Sequence, residues 1–344
     1  MTRPSLEKLT TPPSAIVVIG VSAGGMDALK RLVAQLPEDF PAPVFIVHHM
    51  SPNVIGDVMV GALKLHGKLD CQQGRDNEAF KSGCIYVAPP DHHMMLGEGI
   101  IRITKGAREN RSRPAIDPLF RSAAVTYGAR VIGVLLTGYL DDGTAGLIAI
   151  QRCGGVCVVQ DPSDAAYPDM PQNALNQLKP DHCLPLENMG VLLSRLVSGP
   201  VGKRKTVPKD LAIEAKIAER VLSDLPSVNA LGTQVPFNCP GCGGVLWGVG
   251  QGASLRYRCH TGHAYTAQVL HAEQSSKIEE TLWTALRMFE ERRNLITTMA
   301  MSQSGASLTA STQRVEESDV HIDRIRSMLL SSNYAQGDVP AAQF

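Results

Sequence analysis

The stretch S-A-I-V-V-I-G-V-S-A-G-G-M-D-A-L, residues 14–29, decides the fold. Ile16 to Ile19 is an apolar, β-branched run, the pattern of a strand buried on both faces of a parallel sheet. Gly20, Gly24 and Gly25 end it, and Met26, Leu29, Val33 and Leu36 then recur at helical spacing. The expected unit is strand, tight turn, helix, with the Ser22 hydroxyl held above the carboxyl edge of the sheet. Free N–H groups at such a helix start point at whatever that hydroxyl meets. Gly20-x-Ser22-x-Gly24 has the spacing of a serine nucleophile elbow. A glycine-rich turn that cradles a phosphate looks the same locally, so the stretch alone leaves both open. It is not G-x-G-x-x-G and no G-K-[ST] follows, which disfavours dinucleotide and P-loop sites.

The chain has 344 residues, with 33 Lys+Arg balanced by 33 Asp+Glu. That length allows a sizeable core plus one or two smaller units. The charge balance gives no reason to expect nucleic acid or membrane insertion. No apolar run reaches membrane-spanning length, and residues 1–13 lack the apolar centre of a signal peptide and read as a disordered tail. Eight cysteines without an export signal place the chain in the cytosol. Cys71, Cys84, Cys153, Cys157 and Cys183 are scattered among apolar runs, whereas Cys239, Cys242 and Cys259 cluster with histidines and suggest metal.

Working outward, Pro43 to Val47 is a second strand ending in His48-His49-Met50. A right-handed crossover puts its carboxyl end level with Ser22. Side chains of neighbouring strand-end residues point opposite ways, so one of the two histidines is expected to face Ser22. Cys84–Ala88 is a third strand, and 93–96 with 100–104 a hairpin. The segment 102–113 carries Arg102, Lys105, Arg108, Arg111 and Arg113; it is either a solvated surface or a docking surface for an acidic partner. A helix is expected over 117–127, and strands over 131–136 and 156–159. The turn T-G-Y-L-D-D-G (137–143) brings Asp141 and Asp142 to the same sheet edge. Serine, histidine and aspartate thus come from three strand ends, the charge order that nucleophilic catalysis needs. Their chain order is not the Ser, Asp/Glu, His of α/β-hydrolases, which disfavours a lipase-like enzyme.

Six segments now stand in order: G-V-S-A-G-G (20–25), V-H-H-M (47–50), I-Y-V-A-P-P-D-H-H-M (85–94), R-P-A-I-D-P-L-F-R-S-A-A (113–124), G-V-L-L-T-G-Y-L-D-D-G-T-A-G-L (133–147) and V-V-Q-D-P-S (158–163). With them, residues 14–198 resemble the catalytic domain of the CheB family of bacterial chemotaxis receptor methylesterases. The resemblance implies a three-layer α/β/α, Rossmann-like fold on a mostly parallel sheet. It also implies hydrolysis of glutamate γ-methyl esters on receptor signalling helices, often with deamidation of glutamine there, and no catalytic cofactor. By motif position Ser22 is the nucleophile, His49 the base and Asp142 the carboxylate, with His48 where the family usually has glutamine. N–H groups near Ser22 and Tyr139, with Ala23 and Tyr139 as candidates, would form the oxyanion site. Arg108, Arg111 and Arg113 are candidates for docking the acidic receptor helix. Tyr139-Leu140 departs from the family's M-G, Ala23 from a common threonine or serine, and Ala115 from a common serine. Only fifteen residues precede Ile16, so no phosphorylated receiver domain is expected ahead of the catalytic domain. The rival reading is a non-catalytic, esterase-like scaffold that presents the C-terminal third to signalling partners.

In that C-terminal third, residues 199–235 read as a linker followed by an amphipathic helix over 210–225. Residues 236–270 hold Cys239-x-x-Cys242, Cys259 and His263, close to zinc-knuckle spacing, with His260 as rival ligand. Four protein ligands leave no open position, so the expected zinc is structural, and the esterase is expected not to depend on a module beyond a linker. Residues 271–330 read as helices with apolar stripes (Ile278, Leu282, Leu286, Phe289, Ile296, Met299, then Val315, Ile322, Ile325, Leu329). These are either a hairpin core or a docking face for other signalling proteins. Residues 331–344 read as a second tail.

Overall fold

The computed structural model describes residues 13–50, 56–203, 205–219, 225–250, 255–302 and 304–335. Most of both expected tails, and residues 220–224 of the expected 210–225 helix, lie outside these residues. In chain order the first part runs β1 (Ile16–Val21), α1 (Gly25–Val33), β2 (Val44–His48), α2 (Gly56–His66), β3 (Asp70–Gln73), β4 (Cys84–Val87), β5 (His93–Gly97), β6 (Ile100–Thr104), α3 (Ile116–Tyr127), β7 (Val131–Leu135), α4 (Thr144–Arg152), β8 (Val156–Gln160), α5 (Asp169–Gln177), β9 (His182–Leu184) and α6 (Met189–Ser198). Seven of these strands form one parallel sheet in the order β3-β4-β2-β1-β7-β8-β9. β5 and β6 pair as the expected antiparallel hairpin.

Every residue of β1 is buried because the sheet is covered on both faces. Alternate residues serve opposite layers. Val17, Ile19, Val44, Ile46 and Val134 pack with α1, α2 and α6, while Ile16, Val18, Phe45, Val47 and Val159 pack with α3, α4 and the hairpin. β1 lies between β2 and β7, so the chain first builds one half of the sheet from β1 and then returns to build the other. That switch point is where open parallel sheets leave a crevice at the carboxyl ends of their strands. β3 and β9 escape a sequence reading because they are only four and three residues long and lie at the sheet edges.

The next part comprises α7 (Lys209–Glu219), α8 (Leu225–Asn229), β10 (Gly232–Asn238), β11 (Val245–Val249), β12 (Arg256–Cys259), β13 (Ala264–Thr266), α9 (Ala267–Ala300) and α10 (Ala306–Ala335). Here the structure corrects the expected organisation. Leu211 of α7 is 2% exposed and joins the core beneath α3, and Arg152 grips Asp210 through two hydrogen bonds of 2.6 and 2.9 Å. The expected helix is therefore packed onto the sheet domain, and Val207 of the expected linker packs, half-buried, against the same core. β10 to β13 form a four-stranded antiparallel ribbon, and everything up to Val269 belongs to one compact unit, with the ribbon inside it.

Residues from Leu270 form a second unit. It is an antiparallel helical hairpin whose seam is Leu282, Leu286, Phe289, Ile322, Ile325 and Leu329. Arg293–Asp319 and Arg326–Glu290 pairs cross between its helices. Four members of the expected stripes lie outside this seam, Ile278, Ile296, Met299 and Val315, and of these Ile278 and Met299 are exposed. α10 continues through Ala335, past the expected start of the tail at 331. Among the described residues no helix is long and apolar enough to cross a membrane.

Candidate functional site

Ser22 stands just past the end of β1, where its backbone is fixed from three directions. Its N–H donates to Thr137 O (3.0 Å), and its carbonyl accepts the Gly25 N–H (2.9 Å) and His48 Nε2–H (3.1 Å). Thr137 Oγ1 donates to Ala23 O, and the Tyr167 N–H donates to Thr137 Oγ1, which locks the β1 turn to the β7 turn. The close approach explains two glycines. Gly24 takes φ +72°, a left-handed conformation that opens α1, and a Cβ on Gly138 would lie 2.7 Å from Ser22 Cβ.

His49 follows β2 and reaches Ser22 Oγ with Nδ1 at 3.1 Å. Its other nitrogen, Nε2, meets Asp142 Oδ2 at 2.7 Å. The three residues expected to act together are thus in hydrogen-bond contact. The imidazole is turned so that Nδ1 faces the hydroxyl and Nε2 the carboxylate, opposite to the best-known Ser-His-Asp arrangement. With Nε2–H donating to Asp142, the neutral ring leaves the Nδ1 lone pair facing Ser22. Of the two histidines, His49 reaches the Ser22 hydroxyl and His48 meets only the Ser22 carbonyl. Burial and the neighbouring His49 lower the His48 pKa to about 4, against the pull of its hydrogen bond to Ser22 O. His48 is therefore a neutral donor near pH 7.

Asp142 is 2% exposed and heavily solvated by protein. Oδ2 accepts His49 Nε2–H and the Ile116 N–H (2.7 Å), while Oδ1 accepts Asn110 Nδ2–H (3.0 Å) and the N–H groups of Gly143 (3.0 Å) and Asp117 (3.3 Å). Burial opposes its ionisation, but His49, the Ile116 N–H and Asn110 prevail and hold its pKa below the usual carboxylate range. Asp117 is its counterpart: burial, then the Asp142 charge, raise the Asp117 pKa to about 8. Its carboxyl accepts the N–H groups of Gly143 and Gly146 at the start of α4. One amide, Asn110 Nδ2, donates to both carboxyls, and so bridges the pair. Asp141 points elsewhere and is kept from easy ionisation by burial, its pKa raised to about 6.

Among the described residues the N–H groups of Ala23 and Tyr139 have no internal acceptor. The Tyr139 and Tyr167 rings meet edge to face at 4.6 Å beside the turn. Leu140 stands at φ +63°, and its carbonyl accepts from Asn173 Nδ2. The turn therefore keeps the left-handed residue that a glycine would take without strain.

The three candidate docking arginines divide. Arg108 and Arg111 are exposed. Arg113 is not available: Nε and Nη2 donate to Asp91 Oδ1 (2.9 and 2.6 Å) and Nη1 donates to Gly106 O (2.7 Å). Its fork matches the carboxylate of Asp91 in the loop between β4 and β5, so it ties two loops of the fold together.

Cys239, Cys242, Cys259 and His263 come together with their ligand atoms all within 4.8 Å of one another. A metal ion could be held there. Cys242 Sγ–Cys259 Sγ is 3.7 Å and Cys259 Sγ–His263 Nδ1 is 3.5 Å. A tetrahedron with metal–sulfur bonds of about 2.3 Å and metal–nitrogen bonds of about 2.0 Å has edges of about that length. His260, the rival, is not among the four.

Sequence reasoning missed Glu109 and Asn110, and it missed the arginines of the ribbon. Glu109 is fully enclosed: Arg121 Nη2 contacts both its oxygens (2.7 and 2.9 Å) and Arg258 Nη2 donates to Oε1 (2.7 Å). Arg256 Nη2 likewise donates to Glu214 Oε2 of α7 (2.9 Å). Burial opposes ionisation of Glu214, but Arg256, Arg121 and Arg258 hold its pKa down to about 2. The sequence offered only a charge-rich loop, and nothing in it paired residue 109 with residue 258.

A parallel α/β sheet with a glycine-bound serine, a histidine and an aspartate at its switch point defines a hydrolase-type site. The sequence pattern of the CheB methylesterase family matches residues 17–193, and the chain belongs to that family. A Leptospira interrogans protein named as a protein-glutamate methylesterase/protein-glutamine glutaminase is 39% identical over 181 residues, 52% of this chain and 93% of that protein. A protein-glutamate methylesterase/protein-glutamine glutaminase of Anaeromyxobacter dehalogenans is 36% identical over 181 residues, 53% of each chain. The crystal structure of the Thermotoga maritima CheB methylesterase catalytic domain superimposes with a TM-score of 0.50 at 32% identity, covering 52% of this chain and 97% of that one. The matched region stops before the ribbon and the helical hairpin.

Proposed function

We propose that the chain hydrolyses glutamate γ-methyl esters on chemoreceptor signalling helices, with Ser22 as nucleophile, His49 as base and Asp142 as its partner. The continuous hydrogen-bond relay from Ser22 Oγ through His49 to Asp142 carries this reading. His49 Nδ1 takes the hydroxyl proton as Ser22 Oγ attacks the ester carbonyl. Asp142 holds Nε2–H and stabilises the imidazolium. The Ala23 and Tyr139 N–H groups receive the oxyanion. The proton passes from Nδ1 to the leaving methoxide, methanol departs, and water activated by the same nitrogen cleaves the acyl-enzyme to free glutamate. A glutamine side chain follows the same route with ammonia leaving. Arg108 and Arg111 would meet the acidic face of the receptor helix. The Cys3His cluster would hold one structural zinc.

The test is methanol release from a methylated receptor fragment by the full chain. Ser22→Ala is expected to lower the rate at least about 10³-fold while leaving melting unchanged. Methanol release retained by the folded variant would remove Ser22 from the mechanism.

A further inference from the structure

The ribbon reaches the site from outside the catalytic fold, and it does so at Asn110. This residue is 6% exposed and stands at φ +48°, a left-handed conformation that asparagine tolerates better than most residues. Its side-chain amide donates to Asp142 Oδ1 and Asp117 Oδ2, both at 3.0 Å. Two further hydrogen bonds tie Asn110 to β13. Its N–H donates to Ala264 O (2.9 Å), and its Oδ1 accepts the Thr266 N–H (3.3 Å). Residue 109, immediately before it, bridges to Ala264 in parallel register and is clamped by Arg258 of β12.

Each grip adjoins a metal-ligand position. Arg258 precedes Cys259, and Ala264 follows His263. The Cys259–His263 turn is closed by the Cys259 N–H donating to His263 O (3.0 Å), and Arg258 Nη1 donates to Gly262 O inside that turn (3.1 Å). Among the described residues the apolar cluster that the ribbon shares with α7 is small: Val228, Leu231, Trp247 and Val249 packed with Ile217 and Ile213, besides buried Leu246 and Tyr265. So small a core needs a staple to hold two strand ends in fixed register.

We propose that the Cys3His ribbon is a metal-dependent brace of the esterase site, with Asn110 as the positioning residue through which it acts on Asp142. This rests on the esterase reading above. Zinc bound by Cys239, Cys242, Cys259 and His263 fixes the turn between β12 and β13. That turn fixes Asn110, and Asn110 sets one oxygen of Asp142 while His49 uses the other. Loss of the metal leaves Ser22 and His49 on their strand ends but releases the carboxylate's outer support. The ribbon then matters to turnover although no reacting atom touches it.

The experiment uses the full chain, a small activated ester such as p-nitrophenyl acetate, and a zinc chelator with zinc content read by elemental analysis. Removal of zinc is expected to lower kcat about 10- to 100-fold with KM changed less than about threefold, since a displacement on the order of 1 Å at a catalytic group has that effect. Added zinc should restore it. Asn110→Ala should lower kcat similarly, and chelation of that variant should add less than about threefold, because both act on one element. Hydrogen exchange supplies a readout independent of turnover: chelation should speed exchange at residues 108–117 and 264–266 while the amides of β1, β2 and β7 stay protected. Zinc-free protein with unchanged kcat and unchanged exchange at 108–117 overturns the proposal, and so does exchange that rises equally across the whole sheet. If Ser22→Ala fails to abolish ester hydrolysis, the esterase reading falls, and the exchange pattern decides the brace by itself.

Discussion

The sheet and the ribbon fix the same carboxylate by different means. The sheet places Ser22, His49 and Asp142 by the ends of β1, β2 and β7, strands whose side chains are almost wholly buried on both faces. Its geometry rests on apolar area, at about 25 cal/mol per Å² buried, spread over dozens of residues. The ribbon has a handful of core residues and is joined to the sheet domain by charge: Arg258 and Arg121 on Glu109, and Arg256 on Glu214. Buried ion pairs add little net stability but specify one arrangement, because breaking one strands a charge. The sheet thus supplies position that persists, and the ribbon supplies position that depends on partners staying in place.

The largest expected effect lies at the weld between them. Glu109→Gln leaves Arg121 and Arg258, each 1% exposed, without their carboxylate. It should lower stability by about 3–5 kcal/mol. In urea, the sheet domain and ribbon should still unfold in one transition at a lower midpoint. Two separated transitions would mean that this ion cluster is all that makes them cooperative.

A smaller effect isolates the sheet side. His48 has a pKa lowered to about 4 by burial, whereas the unfolded chain's histidine titrates near 6.5. Between those values the unfolded state binds more protons, so folding stability falls as pH drops through this window, by up to about 3 kcal/mol. His48→Gln keeps a side-chain donor for Ser22 O and removes the titration. Its melting temperature should fall less than that of the parent between pH 7 and pH 4.5, with turnover near pH 7 retained within about threefold. Identical pH profiles would show that His48 is not the buried titrating group.

The smallest effect concerns the turn after β7. Leu140→Gly relieves roughly 1 kcal/mol of left-handed strain, and part of that gain returns to the freer unfolded chain. A net gain of about 0.5 kcal/mol in a urea titration is expected. A lower midpoint would show that the half-buried leucine side chain outweighs the backbone.

The sequence by itself determined which strand ends meet at the candidate site. Apolar β-branched runs, helical patterns, glycine-bounded turns and the right-handed crossover rule bring Ser22, the 48–49 pair and Asp142 to one edge, because the identity of a strand end is local information. The cysteine and histidine spacing was legible for the same reason. Choosing His49 over His48 needed the family resemblance, and assigning each its atom of Ser22 needed coordinates. Tertiary structure alone decided the rest. A loop that reads as a solvated basic surface splits into exposed Arg108 and Arg111 and an internally bound Arg113. Val207, in a segment that reads as a linker, packs against the core that α3 lines. Asn110, unremarkable in E-N-R-S-R-P, becomes the bridge between two buried carboxyls and the ribbon. The Asn110–Thr266 contact joins residues 156 positions apart, and pairings of buried charges and amides leave no periodic trace along the chain: each depends on which surfaces meet, which only the packed molecule specifies.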